Sequence, residues 1–247
     1  NAIVNPNQPG CDFPCSGTAG VAVVFYVLSA LRSRQRDAGW FQDREPSLGT
    51  LLDLVALGTV ADVVPLDHNN RVLVEQGLKR IRAGRMRPGI RALLDIAGRD
   101  PHTIQASDLG FTVGPRLNAA GRLDDMSVGI ECLLAEEEGR AYELARELDA
   151  LNRERRSIET GMKEEAEKAV QALSLDDEEL PSALCLFDEN WHQGVIGLLA
   201  SRLKERFHRP VIAFALDEDG NLKGSARSIP GLHIRDLLAA LDPREPG

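Results

Sequence analysis

Length, composition and charge already exclude several classes of protein. The chain has 247 residues, 43% of them hydrophobic and 27% charged, which is typical of a soluble globular protein with one or two domains. A net charge of −9 argues against a general nucleic-acid coat protein. No run approaches the roughly 20 apolar residues that a membrane span needs. We therefore expect a protein without membrane contact.

The cysteines indicate a reducing compartment. Three residues separate the first pair, whereas zinc knuckles have two, and no second pair follows. We predict reduced thiols in a cytoplasmic protein. The four cysteines are Cys11, Cys15, Cys132 and Cys185.

The first residues look like the end of a strand. Residues 2–10, AIVNPNQPG, resemble the tail of a buried strand followed by a turn, without the strands that would precede it. This suggests a piece of a longer protein. From residue 17 to residue 40, apolar side chains recur at helical spacing and basic residues follow them, so we predict a long helix.

The stretch 51–66 is the most unusual part of the chain. Apolar residues from 51 to 57 predict a helix that is buried on nearly all sides and stops at Gly58. The sequence then stays apolar around one carboxylate, Asp62. Burying a lone carboxylate costs free energy unless it binds a positive partner. Two interpretations remain open: Asp62 caps the next turn through its side chain, or it is a metal ligand.

A basic run follows this stretch. Six basic residues and no acidic residue lie between positions 79 and 91, within predicted helices at 70–83 and 88–96. A solvated helix face is the ordinary explanation, although a basic strip on an acidic protein can also steer a polyanion. The six are Lys79, Arg80, Arg82, Arg85, Arg87 and Arg91.

Residues 106–123 combine glycines with polar side chains. Glycines allow close approach of a ligand to the backbone, and arginines match phosphate oxygens. The alternative is a helix–turn in which the arginines cap carbonyl groups. The polar residues of this stretch are Arg116, Asn118 and Arg122.

The second half of the chain has a different pattern. Residues 136–173 predict one long charged helix, which is typical of a connection between domains, and the acidic run 176–179 ends it. We divide the chain into a domain at 1–135, a connecting helix at 136–175 and a second domain at 176–247. An α/β fold is predicted for the second domain. Its strands are expected at 183–187, 211–216 and 221–228, and its helices at 194–207 and 233–241.

Two polar clusters stand out in the second domain. His192 lies at a strand-to-helix turn, where a hydrogen-bonded structural histidine is the plainer interpretation. Ser225, Arg227 and Ser228 lie on a glycine-containing strand and suit a cradle for a phosphate or sugar.

Several long motifs together resemble the RecJ family of the DHH phosphoesterase superfamily. They are LLDLVALGTVADVVPL, GPRLNAAGRLDDMSVG, ELDALNRERRSIE, WHQGVIGLLASRLKERFHRPVIAF and KGSARSIPGLHIRDLL. The resemblance covers essentially the whole chain. It implies an α/β fold made of the end of a DHH-type domain, a long connecting helix and a smaller DHH-associated domain.

The resemblance also implies a function. Members of this family are single-strand-specific 5′→3′ DNA exonucleases that act in recombination and repair with Mn²⁺ or Mg²⁺ in a two-metal site. Single-stranded DNA is the implied partner, and a single-strand-binding protein and a helicase are suggested as protein partners.

Site residues follow from matching positions. Asp62 matches the catalytic aspartate that binds the metals. Arg116, Asn118 and Arg122 match a motif that borders the active-site cleft and the DNA path. A third group, in the second domain, matches residues that hold the 5′-terminal part of the strand: His192, Ser225, Arg227 and Ser228.

Departures from the family pattern limit what this chain can do. The Asp-x-Asp and Asp-His-His motifs and the later Gly-Gly-His motif are absent, and Asp67-His68 is no substitute because Asn69 follows it. Asp62 alone cannot hold two metals, so we expect this chain by itself to be inactive. Two alternatives remain: a phosphodiesterase of small substrates or oligonucleotides in the same superfamily, and a non-catalytic nucleic-acid-binding module.

Overall fold

The computed structural model describes residues 3–173 and 181–241. Contacts within the chain divide it into two compact units, Asn1–Asn152 and Arg153–Gly247, which are described separately. The acidic run 176–179, where the sequence places the end of the connecting helix, lies outside the described residues. The boundaries drawn at 135 and 175 remain predictions.

The described part of unit 1 is helical. A 3₁₀ turn, Leu48–Leu51, precedes α2, and a π-helical turn, Leu109–Val113, joins α5 to α6. The helices are α1 (Gly20–Asp37), α2 (Leu52–Ala61), α3 (His68–Arg82), α4 (Pro88–Ile96), α5 (Ala106–Asp108), α6 (Gly114–Leu123), α7 (Ser127–Leu134) and the start of α8 (Glu138–Leu173).

Local chemistry explains where these helices begin and end. Asp67 precedes α3, and its carboxylate accepts a hydrogen bond from the Asn70 backbone N–H at 2.9 Å, as an N-cap does. Pro88 opens α4, where its missing N–H removes no helical bond. Gly84 and Gly98 follow α3 and α4 with φ of 69° and 66°, the left-handed geometry that ends a helix.

The core of unit 1 is built from aliphatic side chains of several helices. Four side chains are fully buried in one cluster: Ile81 of α3, Leu93 of α4, Val113 of the π-helical turn and Leu148 of α8. A smaller cluster joins α1 to α2 and α3 through Ala22, Val55 and Leu73. These helices place the end of α2, and therefore Asp62, at the edge of the main core.

Two expectations about unit 1 are wrong. Residues 3–5 are irregular backbone and Ile3 is 82% exposed, so they are not the tail of a buried strand, because no strand lies beside them in the described chain. The turn predicted after them is present at residues 6–10. The helix α2 also continues past Gly58. A Cβ at Gly58 would lie 2.7 Å from Val21 Cγ1, so this glycine permits the close approach of α1 and does not end α2.

Unit 2 contains the predicted strands and helices, and the α/β fold is confirmed. Its sheet has the order β1 (Leu184–Phe187), β2 (Val211–Leu216) and β3 (Leu222–Arg227). β1 pairs with β2 in parallel and β2 with β3 in antiparallel orientation. The helix α9 (Ile196–Phe207) connects β1 to β2, and α10 (Ile234–Leu241) follows β3.

The β1–α9–β2 crossover gives unit 2 its core. Leu199 and Leu203 on one face of α9 are fully buried, as are Val211 and Ala213 of β2. Burial alternates along β2, as expected for a strand with one covered face. This packing brings the face of α9 next to β3, where the predicted phosphate cradle lies.

Two further findings concern the chain as a whole. All four cysteines are free thiols, as predicted. No helix among the described residues combines the length and the apolar character that crossing a bilayer requires.

Candidate nucleic-acid and metal sites

Asp62 lies at the end of α2 and faces solvent. It is the C-cap residue of that helix, and its backbone N–H donates to Gly58 O at 3.0 Å. The sequence predicted a carboxylate inside an apolar wall, and this is wrong because the chain leaves the core here: the next residue, Val63, is 86% exposed. Within the described chain, no hydrogen bond or ion pair engages the Asp62 carboxylate. It can therefore accept a ligand from solvent.

The loop that follows Asp62 is held in place although it is exposed. Asn70, which is fully buried, donates from Nδ2 to Pro65 O at 2.8 Å and to Gly17 O at 3.0 Å. Val63 has φ of 56°, a left-handed conformation that is rare for a β-branched residue. Asn70 thus ties the Asp62 loop (residues 62–67) to the segment before α1.

Asp67, not Asp62, caps the next helix. Besides the Asn70 N–H, the Asp67 carboxylate accepts a hydrogen bond from the Cys15 thiol at 2.6 Å. The Asn70 bond, followed by the Cys15 bond, holds the pKa of Asp67 below its ordinary value. The interpretation of Asp62 as the cap of the following turn is therefore wrong.

The described residues do not fit a complete metal centre. Mn²⁺ and Mg²⁺ prefer several oxygen ligands, and no group of three or more His, Cys, Asp or Glu side chains in the described chain could hold a metal ion. The solvent-facing carboxylate of Asp62 can supply one such ligand. A metal at this position requires further ligands from outside this set.

The stretch 106–123 is helical, and two of its three glycines, Gly110 and Gly114, face α2. A Cβ at Gly110 would lie 3.0 Å from Val60 Cγ1, and one at Gly114 would lie 3.2 Å from Ala61 Cβ. These glycines thus allow the last turn of α2 to pack closely against this stretch. It places the start of α6 beside the Asp62 loop.

Arg116 on α6 is held by groups of unit 1. Its Nε and Nη2 both lie 2.9 Å from Asp149 Oδ1, and Nη1 donates to Thr112 O at 2.7 Å. Its side chain is only 13% exposed. The bond to Thr112 O is of the kind that the alternative predicted, an arginine on a carbonyl group, whereas the other two contacts are with a carboxylate. By contrast, Asn118 is exposed, and Arg122 is partly buried and has a partner.

The basic run 79–91 is largely bound within unit 1. Four of its side chains have internal partners, which reduces the charge available to an external polyanion. Arg82 donates twice to Ile104 O at 2.9 and 2.7 Å, and the ion pairs are Lys79–Glu75, Arg80–Asp53 and Arg91–Glu138.

Sequence reasoning missed the buried carboxylate of this region. Asp53 is fully buried, and its Oδ2 accepts a hydrogen bond from the Arg87 N–H at 2.9 Å and lies 3.8 Å from Arg80 Nε. The signal was present, because Asp53 is the only acidic residue in the otherwise apolar 51–57 stretch.

In unit 2, Arg227 is the centre of a polar cluster. Its Nε donates to Ser201 Oγ at 2.8 Å, and its Nη1 donates to Ser225 Oγ at 3.2 Å and to Ala226 O at 2.8 Å. We call Arg227, Ser225, Ser201 and Gly197 the Arg227 cluster. Ser201 was not among the predicted site residues, since a serine 26 positions before its partner carries no local signal.

The other predicted residues of unit 2 have structural partners. His192 Nδ1 accepts the Gly194 N–H at 3.0 Å, so the side chain shapes the turn before α9. Ser228 donates to Leu232 O. Next to His192, Gln193 accepts a hydrogen bond from Lys223 Nζ at 2.9 Å. The structure therefore brings Ser225 and Arg227 together and gives His192 and Ser228 local hydrogen bonds.

Comparison with known proteins identifies a domain and a set of relatives. Residues 180–244 match the DHHA1 domain family. The single-stranded-DNA-specific exonuclease RecJ of Salmonella typhimurium is 61% identical over 99% of this chain, which covers 43% of that protein. RecJ of Bacillus subtilis is 38% identical over 96% of the chain, which covers 28% of it. The chain thus spans less than half the length of these relatives.

Solved structures show the same fold. The crystal structure of RecJ from Thermus thermophilus in complex with Mn²⁺ matches with a TM-score of 0.75 and 32% identity, over 95% of this chain and 32% of that one. The corresponding complex with Mg²⁺ has a TM-score of 0.72 and 33% identity, over 89% of this chain and 32% of that one.

Proposed function

We propose, from the similarity of this chain to RecJ proteins in sequence and in fold, that the whole protein is a metal-dependent exonuclease that degrades single-stranded DNA from its 5′ end. The observation that carries the proposal is 61% identity to a single-stranded-DNA-specific exonuclease over 99% of the chain.

Asp62 is the proposed catalytic residue and metal ligand of this chain. Its exposure and its lack of an intramolecular partner among the described residues support this role. The ion is Mn²⁺ or Mg²⁺, the two metals found in the related crystal structures. The remaining ligands come from parts of the whole protein that lie outside this chain.

The DNA strand is proposed to pass the start of α6 in unit 1. The exposed Asn118 and the partly exposed Arg122 contact the strand there. The bonds of Arg116 to Thr112 and Asp149 leave one N–H on each of its η nitrogens for a phosphate oxygen.

In unit 2, Arg227 and Ser225 are proposed to bind a phosphate of the strand, with His192 and Ser228 shaping the turns on either side. The proposed contacts of Arg227 and Ser225 are with a phosphate, which belongs to the backbone of the nucleic acid. We therefore expect little preference for base sequence.

The cellular setting follows from the same proposal. An enzyme that removes single strands from a 5′ end acts in DNA repair and recombination in the cytoplasm. A single-strand-binding protein that covers its substrate and a helicase that produces the strand are the proposed protein partners.

The test uses the whole protein with Mn²⁺ and four substrates: single-stranded DNA labelled at the 5′ end, the same strand labelled at the 3′ end, a duplex and a dinucleotide. We expect loss of the single strand from its 5′ end while the duplex survives. Omission of the metal should abolish the reaction.

The other outcomes separate the competing functions. Cleavage of the dinucleotide alone would indicate a small-substrate phosphodiesterase. Retention of every substrate, together with binding of the single strand, would indicate a non-catalytic module. Either result would overturn the exonuclease proposal.

A further inference from the structure

Arg227 uses three of its five N–H groups on unit 2 itself. One is the Nε–H on Ser201, and the other two are those of Nη1 on Ser225 and on the Ala226 carbonyl. Both N–H groups of Nη2 are left without a partner in the described chain. The guanidinium is therefore oriented by the protein and keeps one nitrogen for a ligand.

Ser201 is oriented to hold that guanidinium. Its hydroxyl donates to Gly197 O, one helical turn earlier on α9, at 3.1 Å. With its proton used there, the oxygen presents its lone pairs to Arg227 Nε at 2.8 Å. The hydroxyl thus links the backbone of α9 to the side chain of β3.

Gly197 shows where the remaining nitrogen points. A Cβ at this position would lie 3.0 Å from Arg227 Nη2 and 3.1 Å from Ser225 Oγ. The unused nitrogen therefore lies against the first turn of α9, which begins at Ile196. In that turn the N–H groups of Ile196 and Leu198 donate to His192 O at 3.2 Å and to Val195 O at 2.9 Å, so within the described chain the Gly197 N–H is the donor left for an anion. The positive end of the helix dipole at the same place also favours an anion.

We propose that Ser201 and Gly197 are positioning residues that set the orientation of Arg227, so that Nη2 and the first turn of α9 bind the same phosphate group of the strand. The proposal rests on the proposed function, because the phosphate belongs to the single-stranded substrate. Ser201 fixes one edge of the guanidinium, and Gly197 leaves room for the other.

The test compares variants of the whole protein by KM and kcat on single-stranded DNA. Ser201→Ala should raise KM roughly twofold to tenfold, the scale of one lost hydrogen bond, and leave kcat unchanged. Ser201→Thr keeps the hydroxyl and should restore the wild-type KM. Gly197→Ala, which displaces Nη2, should raise KM as well. Arg202→Ala is the control, because it removes a charge from α9 whose partners are Glu159 and Glu205, not the Arg227 cluster.

The double variant decides whether Ser201 acts through Arg227. Arg227→Ala should raise KM at least as much as Ser201→Ala, and adding Ser201→Ala to it should have no further effect. An equal rise in KM in both backgrounds would overturn the inference, as would a lowered unfolding temperature with unchanged KM. A wild-type protein that spares single strands would instead overturn the proposed function.

Discussion

Two aspartates in one loop, Asp62 and Asp67, have different roles although they are the same type of residue. Asp62 and Asp67 are both exposed, but within the described chain only Asp67 has side-chain partners, the Asn70 N–H and the Cys15 thiol. The carboxylate that stabilises the fold is thus five positions from the one that is open to a metal. Substituting each of them in turn separates structure from catalysis.

We predict that Asp62→Ala in the whole protein lowers kcat on single-stranded DNA by more than about a hundredfold, the scale of losing a group that stabilises the transition state. Strand binding and the unfolding temperature should stay close to those of the wild type, because the side chain makes no hydrogen bond or ion pair in the described chain. Exonuclease rates, strand affinity and thermal unfolding check this.

Asp67→Ala is the matched control. It should lower the unfolding temperature by a few degrees, as the loss of an N-cap does, and leave kcat within about twofold of the wild-type value. Normal turnover in the Asp62 variant would remove Asp62 from the catalytic site.

At the scale of elements, glycines decide how closely the helices of unit 1 approach. Gly58 of α2 faces Val21 of α1, and Gly77 of α3 faces α2. A glycine in a helix is read from sequence as a weak point or an end, but here it marks an interhelical contact. For that reason the sequence predicts the end of α2 at Gly58. Gly161 in α8 marks no interhelical contact, because a Cβ added there would have no neighbour within 4 Å.

This contrast predicts opposite signs for the same substitution. Gly77→Ala would place a Cβ 2.3 Å from both Ala56 Cβ and Leu52 O, so it should destabilise the protein by about 3 kcal/mol. Gly161→Ala meets no neighbour and should stabilise it by roughly 0.5–1 kcal/mol through helix propensity. Urea unfolding of both variants provides the measurement, and equal shifts would contradict the packing argument.

At the scale of the whole molecule, the thiols report which parts are closed to solvent. Cys11 and Cys185 are exposed, whereas Cys15 and Cys132 are buried. Burial raises the pKa of the Cys132 thiol to about 11. At pH 8 only roughly one molecule in a thousand then carries the reactive thiolate at this position.

We therefore predict two classes of thiol in the native chain. Alkylation at pH 8 should modify Cys11 and Cys185 rapidly, while Cys15 and Cys132 react only after unfolding. Peptide mass spectrometry with and without denaturant checks the assignment. Rapid modification of Cys132 in the native chain would contradict the packing of α7 against α4 and α8.

The sequence by itself determined the bounds of α4, the order of the elements in unit 2 and the resemblance to RecJ proteins. Apolar periodicity predicted α4 with the bounds that the structure has, and the β1–α9–β2 order of unit 2. These features are local, since the spacing of apolar residues and residues such as Pro88 act within a few positions. The resemblance to RecJ proteins rested on long motifs that need no knowledge of contacts.

Only the tertiary structure decided what each polar side chain touches. The exposure of Asp62, the bond between Cys15 and Asp67 and the hold of Asp149 on Arg116 all depend on residues that are distant in sequence. The same is true of Ser201 and Arg227, whose bond depends on α9 packing against β3. Burial and hydrogen-bond partners depend on how helices and strands pack together. The spacing of apolar residues within a single helix or strand does not determine that packing.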